Sequence, residues 1–400
     1  RLKAASDEEL WDLRTRARET LVEYARHRLS RQRTYQGASP REIAQANSIF
    51  DPESLTIGFA RRFATYKRPD LLLHDRARLV RILTNRQCPV QLVVAGKAHP
   101  EDHCGQAMIK LWSDFISRSD VRSSVVFLND YDVLLASQLV QGVDLWLNTP
   151  RRSWEASGTS GMKVLVNGGL NLSELDGWWA EAYSPELGWA IGDGQEHVDH
   201  AGWDAHEADS LYDLLEKEVV PDFYDRDKRG IPTAWVAKMR ASMLQLTPRF
   251  SSNRTVREYV ETYYLPARTA YLDRSMNRSE RGIELSSWSR SLEQHWSEVR
   301  FGTVTSQKQG THYIFEVQVF FGDLCPNAAA VELYAEAGID RDTFRQKMDV
   351  AQQYDAPDNH ILYSAKVPAN RPASDYTPRV IPCRPKASVP LEAPQILWQH

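Results

Sequence analysis

LTIGFARRFATYKR, residues 55–68, runs from a short apolar, β-rich stretch straight into a loop with three arginines and a lysine. A run of that length, closed at once by polar residues, reads as a buried strand whose end carries chemistry. The same grammar recurs in VQLVVAGK from Val90, SSVVFLN from Ser123 and VDLWLN from Val143, with amphipathic stretches between them. Strand, helix, strand in repetition predicts α/β architecture with a parallel, doubly wound sheet. Ligands in such sheets bind beyond the carboxyl ends of the strands. Four polar segments fall on that rim: ARRFATYKR at 60–68, GKAHPEDH at 96–103, NDYD at 129–132 and EASGTSGMK at 155–163.

Upstream, Ser6 to Glu9 (SDEE) forms a capping box, and Leu10, Leu13, Ala17, Leu21 and Tyr24 mark one face of the first helix; its Arg- and Glu-rich face is expected to be solvated. Beyond about residue 200 the pattern turns helical, and TAWVAKMRASMLQL and SSNRTVREYVETYYL are expected to cover the sheet. Tyr313, Phe315, Val317, Val319 and Phe321 then alternate, and prolines crowd the end, so a small antiparallel β domain is expected. The expected domains are a helical connector over 1–48, an α/β domain over 49–275 and a β-rich domain over 276–400.

Composition narrows the function. With 400 residues and a net charge of −4, the chain can bury more than one core and offers no basic field for nucleic acid. No run approaches the ~20 apolar residues that cross a bilayer, and the opening residues lack a signal peptide's apolar core, so a cytoplasmic protein without membrane or nucleic-acid partners is expected. Four cysteines without CxxC spacing suggest neither a disulfide scaffold nor zinc. His99, His103 and Cys104 lack spaced partners, so no metal is expected.

The turn Ser157, Gly158, Thr159, Ser160, Gly161 at a helix start would present free amides and a positive dipole end to an anion. Alone it is weak evidence, since such turns are common. Lys163, eight positions after Glu155, reaches the same space, and a lysine there can form a Schiff base with pyridoxal phosphate. RRFATYK supplies the fixed cations that two neighbouring phosphates would need.

Together these segments are far more specific. EASGTSGMK followed by NGGLNLSELDG closely resembles the pyridoxal-phosphate segment of the α-glucan phosphorylases, the glycogen, starch and maltodextrin phosphorylase family, where it reads EASGTGNMK followed by NGAL and LDG. ARRFATYKR resembles the family's KRIHEYKR, GKAHPEDH its GKAAPGYH, and FLNDYDVLLA its FLENYRVSLA. The resemblance covers roughly residues 50–270, and WWAEAYSPELGWAIGDG is similar to the shorter bacterial and archaeal subfamily.

The resemblance implies a Rossmann-like domain, one half of a two-domain GT-B glycosyltransferase fold, with the active cleft between this domain and an N-terminal one. It implies phosphorolysis of an α-1,4-glucan by inorganic phosphate to glucose 1-phosphate with retention, the phosphate of the cofactor doing the chemistry. Lys163 matches the lysine holding pyridoxal 5'-phosphate covalently. Thr159 and Gly158 match residues around the cofactor phosphate and sugar, Arg61 replaces a lysine beside that phosphate, and Tyr131 matches an aromatic residue near the pyridine ring. Arg62 and Lys67 match the cationic pair that gathers substrate phosphate. Glu155 matches the acceptor of glucose hydroxyls, with the amides of Ser157 and Gly158 nearby.

Two departures stand out: Ser160 and Gly161 occupy the places where the family has Gly-Asn before the methionine, and Asp132 stands where better-known members have arginine. The chain is thus expected to be a C-terminal portion, inactive alone, with oligomeric state and cofactor retention open. The alternatives are a sugar-nucleotide-dependent glucan synthase of similar fold, against which GTSGMK argues, and a non-catalytic carbohydrate-binding remnant.

Overall fold

The structure, a computed structural model, describes residues 2–338, 342–354 and 360–399. The chain divides into two compact units, Arg1–Val256 and Arg257–His400.

The first unit is built on a wholly parallel sheet: β1 (Leu55–Arg62), β2 (Val90–Lys97), β3 (Val125–Leu128), β4 (Leu145–Asn148), β5 (Leu170–Glu174) and β6 (Trp189–Ile191), in the order β3-β2-β1-β4-β5-β6. The order reverses between β1 and β4, which pair through Ile57↔Leu145 and Gly58↔Trp146, and a crevice opens beyond their carboxyl ends. Strands covered on both faces must be apolar throughout, and β1 is buried from Leu55 to Arg61. All four strands expected from the sequence are present. β5 and β6 are additional; they are short, and β5 interleaves its leucines with Asn171, Ser173 and Glu174, all buried.

The capping box at the start of α1 (Asp7–Tyr35) is formed: Glu9 N–H donates to Ser6 Oγ at 3.1 Å and Ser6 N–H to Glu9 Oε2 at 2.7 Å. The face of α1 departs from expectation. Leu13 is 49% exposed, whereas Arg14 and Arg18 are fully buried within a stripe of Trp11, Leu21, Val22, Ala25 and Leu29. Both find partners there: the Arg14 Nη groups donate to the carbonyls of Gln141, Gly142, Val143 and Asn167, its Nε makes no hydrogen bond but lies 3.5 Å from Asp144 Oδ1, and Arg18 donates to Asp144 Oδ1 at 2.8 Å. Asp144 in turn accepts Thr56 N–H at 2.9 Å. Residues 7–35 thus pack as part of the α/β unit.

The helix Thr233–Arg249 does cover the sheet, placing Trp235, Val236 and Met239 in the main core. The helix Ser252–Tyr259 crosses the boundary between the units and buries no residue, and Tyr259 packs against Tyr263 and Tyr264.

The second unit holds two antiparallel sheets, as the alternation implied. One is ordered β11-β12-β8-β7 and the other β10-β9-β13-β14, where β7 is Arg300–Gln309, β8 His312–Phe320, β9 Ala329–Ala335, β10 Phe344–Lys347, β11 Asp349–Tyr354, β12 His360–Pro368, β13 Thr377–Pro382 and β14 Leu397–Trp398. Phe315, Val317, Val319 and Phe321 are buried, and Trp288 and Leu292 from the preceding helix join their core.

Candidate active site

Chemistry-bearing residues converge where β1 and β4 end. After Arg62 the chain makes a short turn, Thr65–Lys67, fixed from below by Trp112, whose Nε1 donates to Pro69 O at 2.7 Å. After β4, Thr149 Oγ1 donates to the carbonyls of Lys67 and Arg68, both at 3.1 Å, so the loop leading to Glu155 is tied to the loop after β1. The segment 155–158 is also stitched to the turn after β5. Glu155 N–H donates to Asp176 Oδ2 at 2.8 Å, and Trp178 N–H to Ser157 O at 3.0 Å.

These ties bring Arg61, Lys67 and Glu155 together. Arg61 Nη2 lies 2.8 Å and Lys67 Nζ 2.7 Å from the same oxygen, Glu155 Oε2. The Arg61 side chain is 4% exposed, and those of Lys67 and Glu155 are each 12% exposed. Burial pushes the Glu155 carboxyl up, but Lys67 and Arg61 outweigh it and hold it below the usual range. Burial lowers the Arg61 pKa and Glu155 pulls it back. Arg61 Nη1 is buried without a hydrogen-bond partner.

Gly158 caps the helix Thr159–Val166 in the left-handed region at φ 83°, a conformation that costs a side-chain-bearing residue about 1–2 kcal/mol. No side chain caps this helix start, which leaves its first N–H groups free for an anion. Lys163 is exposed one turn on, and Nζ donates to Thr159 Oγ1 only at 3.5 Å. Tyr131 is half-buried; burial pushes its hydroxyl up while nearby Arg61 pulls the other way. Arg62 is exposed and hydrogen-bonds Tyr66 together with Lys67; against burial, these two hold the Tyr66 hydroxyl below its ordinary value.

The sequence did not reveal Asp176, Thr149, Tyr66 or Arg68 as site-forming residues. Asp176 and Arg68 lie within quoted motifs, but only the fold shows what their side chains hold. His99, in the segment considered for a metal, accepts Glu101 N–H through Nδ1 at 3.2 Å, a local loop contact.

The carbohydrate phosphorylase family matches residues 10–213. Glycogen phosphorylase of Mycobacterium tuberculosis is 43% identical over 306 residues, 76% of this chain and 36% of that protein. Glycogen phosphorylase of Aquifex aeolicus is 42% identical over 258 residues, 64% of this chain and 37% of its own length. Maltodextrin phosphorylase of Thermococcus litoralis is 37% identical over 331 residues, 82% of this chain and 38% of its own. The chain therefore spans little more than a third of the length of these relatives. With its parallel sheet, its basic rim and these matches, the chain belongs to the carbohydrate phosphorylase family.

Proposed function

We propose that this chain is the cofactor- and phosphate-binding part of an α-1,4-glucan phosphorylase, which cleaves the non-reducing end of a glucan with inorganic phosphate and releases α-glucose 1-phosphate with retention. The observation that carries this reading is the convergence of Arg61 and Lys67 on Glu155, with the uncapped helix start at Gly158–Thr159 next to it.

The residues fit pyridoxal 5'-phosphate. Arg61 offers a buried N–H without a partner, the turn at Gly158 and Thr159 offers free amides, and Lys163 offers an exposed amine with one long hydrogen bond. Lys163 would hold the cofactor covalently, Thr159, Gly158 and Arg61 its phosphate, and Tyr131 would flank its ring. When bound, the cofactor supplies a phosphate group for acid–base work.

The chain's own side chains do the rest. Arg62 and Lys67 gather inorganic phosphate, with an arginine fork and a lysine point charge supplying charge-assisted contacts. Glu155 accepts hydrogen bonds from the hydroxyls of the terminal glucose, and the amides of Ser157 and Gly158 donate to them. Since Glu155 and an incoming phosphate compete for Lys67, phosphate entry releases the carboxylate toward the sugar. In the reaction the glycosidic C1–O bond breaks and a C1–O bond to phosphate forms, the departing oxygen taking a proton from inorganic phosphate. Fixed cations stabilise the dianion beside the positive charge developing at C1. In the GT-B arrangement a second domain of the whole protein closes the cleft, and a cytoplasmic setting fits this metabolism.

The test uses the whole protein. Borohydride treatment after incubation with pyridoxal 5'-phosphate should label Lys163, with Lys97 of the same rim as the unlabelled control. Lys163→Ala should abolish release of glucose 1-phosphate from maltodextrin. Label on another lysine, or turnover in Lys163→Ala, would overturn the assignment.

A further inference from the structure

Behind the Glu155 loop lies a second charged cluster, and no step above uses it. Arg68, 3% exposed, sits in the left-handed region at φ 43°. Its Nε donates to Thr149 O at 3.0 Å, and its Nη2 to Pro150 O at 2.8 Å and Glu174 Oε2 at 3.0 Å. Its Nη1 donates to Asp204 Oδ1 at 2.8 Å and to Glu207. Arg151 Nη2 lies 2.8 Å from Asp204 Oδ2, and Trp203 Nε1 donates to Glu207 Oε1 at 2.7 Å. Glu174, at the end of β5, and Glu207, on the helix His200–Leu214, are each 1% exposed and both pair with the Arg68 guanidinium. Gly192 closes the remaining side; a Cβ there would stand 2.0 Å from Glu174 Oε1 and 3.1 Å from Glu207 Oε1.

Three carboxylates face two guanidinia, which would leave one excess negative charge; Asp204 and Arg151 reach solvent, so the excess falls on Glu174 and Glu207, both closed to water on one guanidinium. Two buried carboxyl groups so placed shed that charge if one of them carries a proton.

We propose that Glu174 and Glu207 share one proton, and that with Arg68 they form a positioning cluster that clamps residues 65–68 to residues 149–151 and so sets where Lys67 meets Glu155. The consequence for phosphate rests on the phosphorylase reading, whereas the shared proton does not. Burial, then the Glu207 carboxylate, push the Glu174 carboxyl up to about 9 against the pull of Arg68. The proton is therefore held at neutral pH and leaves as the pH passes that value. Arg68 is the cation facing Glu174 directly, and Arg151 reaches the cluster through Asp204.

Glu174→Gln is the informative variant: its amide oxygen can accept from Arg68 while its NH₂ donates to Glu207, so the cluster keeps its bonds without a titrating proton. Infrared difference spectra of the full chain at neutral pH should show the carbonyl band of an un-ionised carboxylic acid, fading above the alkaline transition and absent from Glu174→Gln. The dissociation constant for inorganic phosphate should agree within about twofold between wild type and Glu174→Gln at neutral pH. On raising the pH to about 10, wild type should weaken about fivefold more than the variant, since only wild type loses the proton. Arg68→Lys has three donors for five acceptors and should bind phosphate about tenfold more weakly at neutral pH. Absence of the acid band, its persistence in Glu174→Gln, or equal alkaline weakening in both proteins would overturn the proposal. If phosphate bound to no form at neutral pH, the phosphorylase reading would fall, and the infrared band would still decide the shared proton.

Discussion

Replacing Glu155 by glutamine should tighten phosphate binding while slowing turnover, two effects of opposite sign from one substitution. Glu155 Oε2 neutralises both Arg61, at 2.8 Å, and Lys67, at 2.7 Å, so an inorganic phosphate that uses Lys67 must first compete with the carboxylate. A hydrogen bond to a charged group nets about 1.5–3 kcal/mol. Only the Lys67 contact is contested by inorganic phosphate, and the 12% exposure of Lys67 and Glu155 argues for the lower end. The competition removed by Glu155→Gln is therefore about 1.5 kcal/mol, a roughly 10-fold lower dissociation constant for inorganic phosphate. Titration calorimetry with phosphate on the full chain measures this. In the whole protein, glucose 1-phosphate formation should fall in the same variant, because the amide is a poorer acceptor for sugar hydroxyls. Phosphate affinity unchanged within about twofold, or weakened, would refute the idea that Glu155 and inorganic phosphate compete for Lys67.

Asp144→Ala strands Arg14 and Arg18, both fully buried, and should cost about 3–5 kcal/mol, read as a lowered urea midpoint of the α/β unit; a loss below about 1 kcal/mol would refute it. Gly177→Ala should harm the site more than Gly158→Ala. At Gly177 a Cβ meets Ser157 O at 2.5 Å and Glu155 O at 3.0 Å, whereas at Gly158 the nearest atom is Glu155 Cγ at 3.6 Å and only the backbone resists, so phosphate affinity should rank the two variants in that order. Because Glu155 is held below its ordinary value, its stabilising contribution is present above its unfolded pKa of about 4.3 and lost as the pH falls through the folded one. The acid limb of a fluorescence unfolding curve should therefore be shallower in Glu155→Gln than in wild type, and superimposable limbs would contradict the ion pairs.

The parallel sheet was legible because strands buried on both faces must be apolar throughout, as in LTIGFA and VQLVVAGK. The rim was legible because each of those runs stops at a polar segment, and Arg61, Lys67 and Glu155, far apart in sequence, meet there. What stayed hidden shares one cause: polar side chains whose partners, backbone or side chain, lie on remote elements. Arg14 and Arg18 read as a solvated face because their acceptors, the carbonyls of residues 141–143 and 167 and the Asp144 carboxylate, lie well over a hundred positions away. Arg68 and Glu174 were passed over for the same reason, and β5 because buried Asn171, Ser173 and Glu174 mimic a loop. The segment from Ser252 misled in the opposite direction: its helical pattern suggested a cover for the sheet, whereas the helix Ser252–Tyr259 buries no residue and Tyr259 packs against Tyr263 and Tyr264.

The buried arginines of α1 also bear on the order in which the unit can form. Arg14 donates to carbonyls 127 and 153 residues further along the chain, so α1 has no acceptors for this side chain until residues 141–167 have left the ribosome. Until then two guanidinium groups stay hydrated and α1 stays undocked, with Trp11, Leu21 and Val22 uncovered. Closing loops of that length is slow, and the interval leaves an apolar helix face open to wrong partners. During synthesis, α1 should become helical before the sheet it packs on is complete, and should be among the last segments of the α/β unit to become protected from hydrogen exchange.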